Sequence, residues 1–117
     1  MDFIDSKPIY RQIIDLCFDR VLSGMWQPGE RIPSVREMAV ELAVNTHTVL
    51  KALEYLQLHG IIYPRRGMGY YLSDDAPQMV AETRREDFFE NQLAETFRQM
   101  DILGISIDEI LAHYNAR

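Results

Sequence analysis

Four cations stand out between Pro33 and Tyr71: Arg36, Lys51 and the adjacent pair Arg65-Arg66, which precedes Gly67 at a glycine-rich tip. Interspersed with them are Ser34, Asn45, Thr46, His47 and Thr48, polar side chains able to bond phosphate oxygens and base edges. The chain holds nothing suited to covalent chemistry. No Ser/His/Asp or Cys/His grouping, matched carboxylate pair or phosphate-cradling glycine loop occurs, and Gly67-Met68-Gly69 reads as a hairpin tip, not a nucleotide fingerprint. His47, His59 and His113 are scattered, with no i, i+4 pair and no carboxylate at ligand spacing, so no metal site is expected. Cys17 is the single cysteine, which excludes an internal disulfide and a multi-cysteine zinc site, and its place on an apolar helix side makes it a buried spectator. The expectation is a binding protein with no enzyme activity and no cofactor.

The elements that position these side chains are legible from caps and periodicity. Ser34-x-x-Glu37 is a capping box, and Val35, Met38, Ala39 and Leu42 then recur at i, i+3, i+4, i+7, which leaves Arg36 outside the buried stripe. Asn45 caps a second helix, with Val49, Ala52, Leu53 and Leu56 as its apolar face and Gly60 as its stop. His47, Lys51 and Glu54 cluster on the opposite side. Only Ala43-Val44-Asn45 separates the two helices, the spacing of a helix-turn-helix. Ala43 stands where such turns often carry glycine, so a left-handed backbone there costs about 1 kcal/mol. Ile61-Ile62-Tyr63 and Tyr70-Tyr71-Leu72 are β-type runs joined by residues 64–69.

In order along the chain, P-S-V-R-E-x-A, N-x-x-T-V-x-K-A-L and R-x-G-x-G resemble the DNA-binding domain of GntR-type bacterial regulators. The resemblance extends from about Pro8 to Leu72, and the second motif together with the short tail is most similar to the YtrA-like subgroup. It implies that Arg36, Thr46, His47, Thr48, Lys51, Arg65, Arg66 and Gly67 occupy DNA-facing positions. The capping residues Ser34 and Asn45 complete the candidate DNA-binding set. It also implies a dimeric transcription regulator, a repressor, that recognises a double-stranded operator of two-fold symmetry. The other reading is a winged-helix module that meets protein through the same surface and binds no DNA.

A formal charge of −6 argues against a general nucleic-acid coat. The charge is unevenly spread, however. Residues 31–71 hold five cations against three acids, whereas residues 76–117 hold four arginines against eight acids. The acidity therefore sits away from the candidate DNA face. No apolar run approaches ~18 residues and residues 1–7 lack a basic region followed by an apolar one, so neither membrane span nor signal peptide is expected, and the expected location is cytoplasmic.

Upstream of the motifs, Pro8 opens a helix expected to run to Gly24, with Ile9, Ile13, Leu16, Cys17 and Val21 along one side. Pro28-Gly29 fits a type II turn. The fold class is mainly α with a small β-hairpin: a winged helix-turn-helix over residues 1–75, followed by a two-helix tail over residues 76–117. One tail helix is expected from about Gln78 to Leu103 and a second after the capping box Ser106-x-x-Glu109. Two helices cannot enclose a drug-sized cavity of roughly 300 Å³ or more and also bury their own stripes. Phe88, Phe89, Leu93, Phe97, Met100, Leu103, Ile107, Ile110, Leu111 and Tyr114 are therefore assigned to a homodimer interface, with no small-molecule effector specified.

Overall fold

The computed structural model describes Phe3 and residues 6–117. The reading of residues 1–7 as lacking a signal falls in part on Met1, Asp2, Ile4 and Asp5, which lie outside the described residues. In chain order come α1 (Ile9–Leu22), α2 (Val35–Leu42), α3 (Thr46–Leu58), β1 (Ile62–Arg65), β2 (Gly69–Leu72) and α4 (Ala76–Asp87). A π-helical segment (Phe88–Gln92), α5 (Leu93–Leu103) and α6 (Ile107–Asn115) follow. The winged helix-turn-helix expected from the sequence is present. Compact packing divides the chain into one unit ending at Ala81 and another spanning Glu82–Arg117.

In the first unit each amphipathic stripe meets the others in one core. Helix α1 contributes Ile13, Ile14, Cys17, Phe18 and Val21, α2 gives Met38, Ala39 and Leu42, and α3 gives Val49, Ala52, Leu53 and Leu56. Ile62 and Leu72 close it from the hairpin, and Ala76 and Val80 from the first turns of α4. Burying each of the larger side chains contributes about 1.5–3 kcal/mol. One expected member of the α1 stripe, Ile9, is exposed because it lies at the helix start, as is Leu22 at the other end. Helix α1 ends at Leu22, two residues short of the expected Gly24, which adopts a left-handed φ of 81° beyond it. Gln12 is buried but satisfied, its Nε2 donating to the Lys7 carbonyl at 2.8 Å. Burial pushes the Cys17 thiol up to about 12, so it stays protonated and unreactive.

The turn between α2 and α3 adopts the conformation that the sequence makes costly. Ala43 has φ 54° and ψ 47°, the one described non-glycine residue with positive φ. Glycine at this position removes roughly 1–2 kcal/mol of backbone strain and adds roughly 0.4–1 kcal/mol of unfolded-chain entropy. Ala43→Gly is therefore expected to stabilise the first unit by up to about 1 kcal/mol, read as a higher urea midpoint at unchanged slope.

In the hairpin, Ile62 pairs with Leu72 and Arg65 with Gly69. Pairing thus runs further than the sequence suggests: Pro64 and Arg65 are in β1, Gly69 is in β2, and only Arg66-Gly67-Met68 forms the tip. Periodicity misses the extension because Pro64 and Gly69 are poor strand formers, held here by pairing with Tyr70 and Arg65. The segment before α2 lies along the free edge of β2, with the Ile32 amide donating to the Tyr70 carbonyl at 2.9 Å and the Leu72 amide to Glu30 at 3.0 Å. The wing is braced along both edges of that strand.

The expected single α-helix from Gln78 to Leu103 begins at Ala76, still within the first unit, and is interrupted in the second by the π-helical turn at Phe88–Gln92. Such a turn closes i→i+5 rather than i→i+4, which rotates the downstream stripe relative to an unbroken α-helix. Apolar spacing read at a period of 3.6 cannot register the change. Gly104, at φ 67°, reverses the chain, and the Ile105 amide donates to the Met100 carbonyl at 2.9 Å. Ser106 then caps α6 through its bond from the Glu109 amide. An open depression of about 350 Å³ on this unit is lined by Glu82, Arg85, Glu86, Phe89 and Glu90, and it is not an enclosed cavity.

Candidate nucleic-acid interface

Ser34 and Asn45 each spend a side-chain acceptor on a helix start. The Ser34 hydroxyl oxygen accepts the Glu37 amide at 3.1 Å, and a Glu37 carboxylate oxygen accepts the Ser34 amide at 3.2 Å. The Asn45 carbonyl oxygen accepts the His47 amide at 2.8 Å. Both residues thereby fix the direction of the helix that follows. Arg36, in the first turn of α2, and Thr46 and His47, at the start of α3, are exposed, while Thr48 is half-buried. The positive end of the α3 dipole and the two exposed side chains share one small surface.

Hydrogen bonds from Ser34, and from Arg31 through its side chain, hold the Glu37 carboxyl below the usual carboxylate range. A depressed folded value means stability that is complete above the ordinary carboxylate value and lost as pH falls through the folded one. The stability advantage of the native chain over Glu37→Gln is therefore expected to shrink on acidification from about pH 6 to about pH 3. Parallel thermal melts of the two proteins measure it.

Lys51 is exposed on α3, with its Nζ 4.0 Å from the centre of the Tyr10 ring. Arg11 lies 5.5 Å from the same ring and 5.5 Å from the Tyr55 ring. Its Nε donates to the Tyr10 hydroxyl at 3.2 Å. The Tyr10 hydrogen bond leads the contacts that raise the Arg11 value. Lys51 is thus grouped with the first turn of α1, a placement no local spacing reveals. In the wing, Arg65 stacks 4.3 Å from the Tyr71 ring centre, which keeps its aliphatic stem ordered. Arg66 and Gly67 form the exposed tip, and Gly67, at φ 74°, has open space where a Cβ would sit.

Sequence reasoning counted Arg31 only as charge, and the structure gives it a place in this surface. Its guanidinium reaches the wing carbonyl of Met68 and the Glu37 carboxylate, joining the wing tip to the start of α2. Tyr10 and Arg11 were likewise missed, since their partners Lys51 and Tyr55 are more than forty residues away in sequence. Among the described residues no group of three His, Cys, Asp or Glu side chains is placed to hold a metal. No helix there is long and apolar enough to cross a membrane.

The assigned tail residues are mostly uncovered in the single chain. Phe97 is 48 % exposed, Leu111 55 % and Ile107 64 %, with Phe88, Phe89, Leu103, Ile110 and Tyr114 also exposed and Leu93 half-buried. Met100 differs, being 9 % exposed, so its apolar surface is already covered and adds little to any interface. It lies at the Gly104 reversal, where side chains on either side of the turn commonly pack together.

Residues 9–72, more than half of the chain, match the family described as bacterial regulatory proteins, gntR family. The chain is 34% identical over 105 residues to the HTH-type transcriptional repressor YtrA of Bacillus subtilis (strain 168), covering 90% of this chain and 80% of that one. Among solved structures it resembles a GntR family transcriptional regulator from Listeria monocytogenes, with a TM-score of 0.83 and 34% identity over 98% of this chain and 99% of that one. It also resembles the DNA-binding domain of AraR solved in complex with operator ORR3, with a TM-score of 0.56 and 26% identity over 62% of this chain and 86% of that one. The chain belongs to the GntR family of bacterial transcription regulators, which are not enzymes, and its winged helix-turn-helix is the family's DNA-binding domain.

Proposed function

We propose that the chain acts as a dimeric repressor in the cytoplasm, binding a double-stranded operator of two-fold symmetry. Each subunit inserts the start of α3 into a major groove, where Thr46 and His47 meet base edges and phosphates. Arg65, Arg66 and Gly67 reach the adjacent minor groove or backbone, while Arg36 and Lys51 contact phosphates. The observation that carries this reading is an exposed, capped α3 start in the same unit as a braced, arginine-tipped wing. The AraR domain, which has this fold, was solved on an operator, and that favours DNA over a protein partner.

Residues 1–75 serve as the DNA-binding domain and 76–117 as the dimerisation tail. The uncovered aromatic and aliphatic side chains of the tail need a partner, and a second copy closes a two-fold assembly at no cost in new surface types. Duplexes selected from a random pool are expected to yield a palindromic consensus, and sedimentation of the free protein a two-subunit mass. Absence of any salt-sensitive duplex binding would leave the protein-interaction reading in its place.

A further inference from the structure

Arg31 lies outside the set of side chains assigned to DNA, yet two of its guanidinium nitrogens are held. Its backbone sits beside β2 in a bridge with Tyr71. Its Nε donates to the Met68 carbonyl in the wing tip at 3.1 Å, and its Nη2 donates to Glu37 Oε1 at 3.2 Å. The same glutamate oxygen accepts the Ser34 amide, and the Ser34 hydroxyl accepts the Glu37 amide. An unbroken run of hydrogen bonds therefore links the wing tip to the first turn of α2, where Arg36 stands.

The fit is close on the wing side. A Cβ added at Gly69 would approach Arg31 Nε to 3.2 Å, and Gly69 holds a φ of 91° that side chains rarely adopt. The glycine both allows the strand to turn and clears the path of the guanidinium. Both partners of the ion pair are about half exposed, a setting in which such pairs contribute little to stability. What the pair does fix is an angle. The tip spans only three residues between two four-residue strands, and such loops open easily unless tied down.

We propose that Arg31 and Glu37 form a clamp that positions the wing arginines against the start of α2 for DNA; this rests on the reading of the surface as a DNA interface. Arg31 is a positioning residue and makes no phosphate contact of its own. Its planar fork serves two acceptors on different segments, which a lysine ammonium on a flexible stem does not reproduce.

The test uses the full chain with Arg31→Ala, Arg31→Lys and Glu37→Gln. Hydrogen exchange of the Met68 amide, bonded to the Arg65 carbonyl at 2.9 Å, is expected to quicken about tenfold in all three, with α3 exchange unchanged. Affinity for the selected duplex is expected to fall about tenfold, and this loss is expected to vanish when Arg65→Ala is already present. A direct phosphate contact by Arg31 predicts the opposite: Glu37→Gln frees the guanidinium and tightens binding, Arg31→Lys binds like wild type, and Arg31→Ala adds to Arg65→Ala. Any of those results overturns the clamp, as does unchanged exchange at the tip. Failure of the wild-type chain to bind any duplex sinks the DNA reading, a result distinct from unchanged wing exchange.

Discussion

Placing glutamate at Phe97 and Leu111 together is expected to yield a single-chain species whose operator affinity is roughly 10²–10⁴-fold weaker than that of the native protein. Both side chains are about half exposed in one chain and lie outside the core of the first unit, so the winged domain should fold and melt as before. Two carboxylates introduced on the apolar tail face would have to be desolvated for two copies to close, at a cost of several kcal/mol. Once the copies part, each half-site is bound alone and the effective-concentration gain is lost. Sedimentation and duplex titration report the two steps separately. A two-subunit mass for the variant would remove the tail from the interface. A single-chain mass with undiminished affinity would show that one head suffices.

The parts of this molecule that the sequence announces are those determined by nearest neighbours along the chain. Ser34, answered by Glu37 in the first turn of α2, and Asn45 cap the helices they precede because a cap needs only the next three residues. The stripes of α2 and α3 likewise face inward as their periodicity requires. What escaped depends on residues far apart. Arg31 acts through Met68 and Glu37, and Lys51 rests against Tyr10, contacts that only the packed fold creates. The π-helical turn is hidden for a different reason, since its extra residue changes the period that the reading assumes. Ala43 lies between these cases: the spacing calls for a left-handed residue, and the fold accepts the strain because the core on either side sets the crossing.

Arg36→Ala and Arg65→Ala are each expected to weaken operator binding by about 1–3 kcal/mol, roughly 5–150-fold, at physiological salt. Neither guanidinium is buried, so truncation leaves the core intact and the loss appears as affinity rather than stability. The two differ in what holds them. Arg36 projects from a helix fixed by its capping box, whereas Arg65 lies over Tyr71 on a strand whose register is set by its pairing with Gly69. As phosphate contacts, both should lower affinity evenly across operator variants and reduce the salt slope by about one each. His47→Ala, at the α3 start, should instead relax the preference at particular base pairs and leave the slope nearly unchanged. If both arginine variants bind the selected operator like the native chain, the surface assigned to DNA is the wrong one. If affinity falls but the slope holds, the arginines read bases and His47 does not stand alone as the sequence reader.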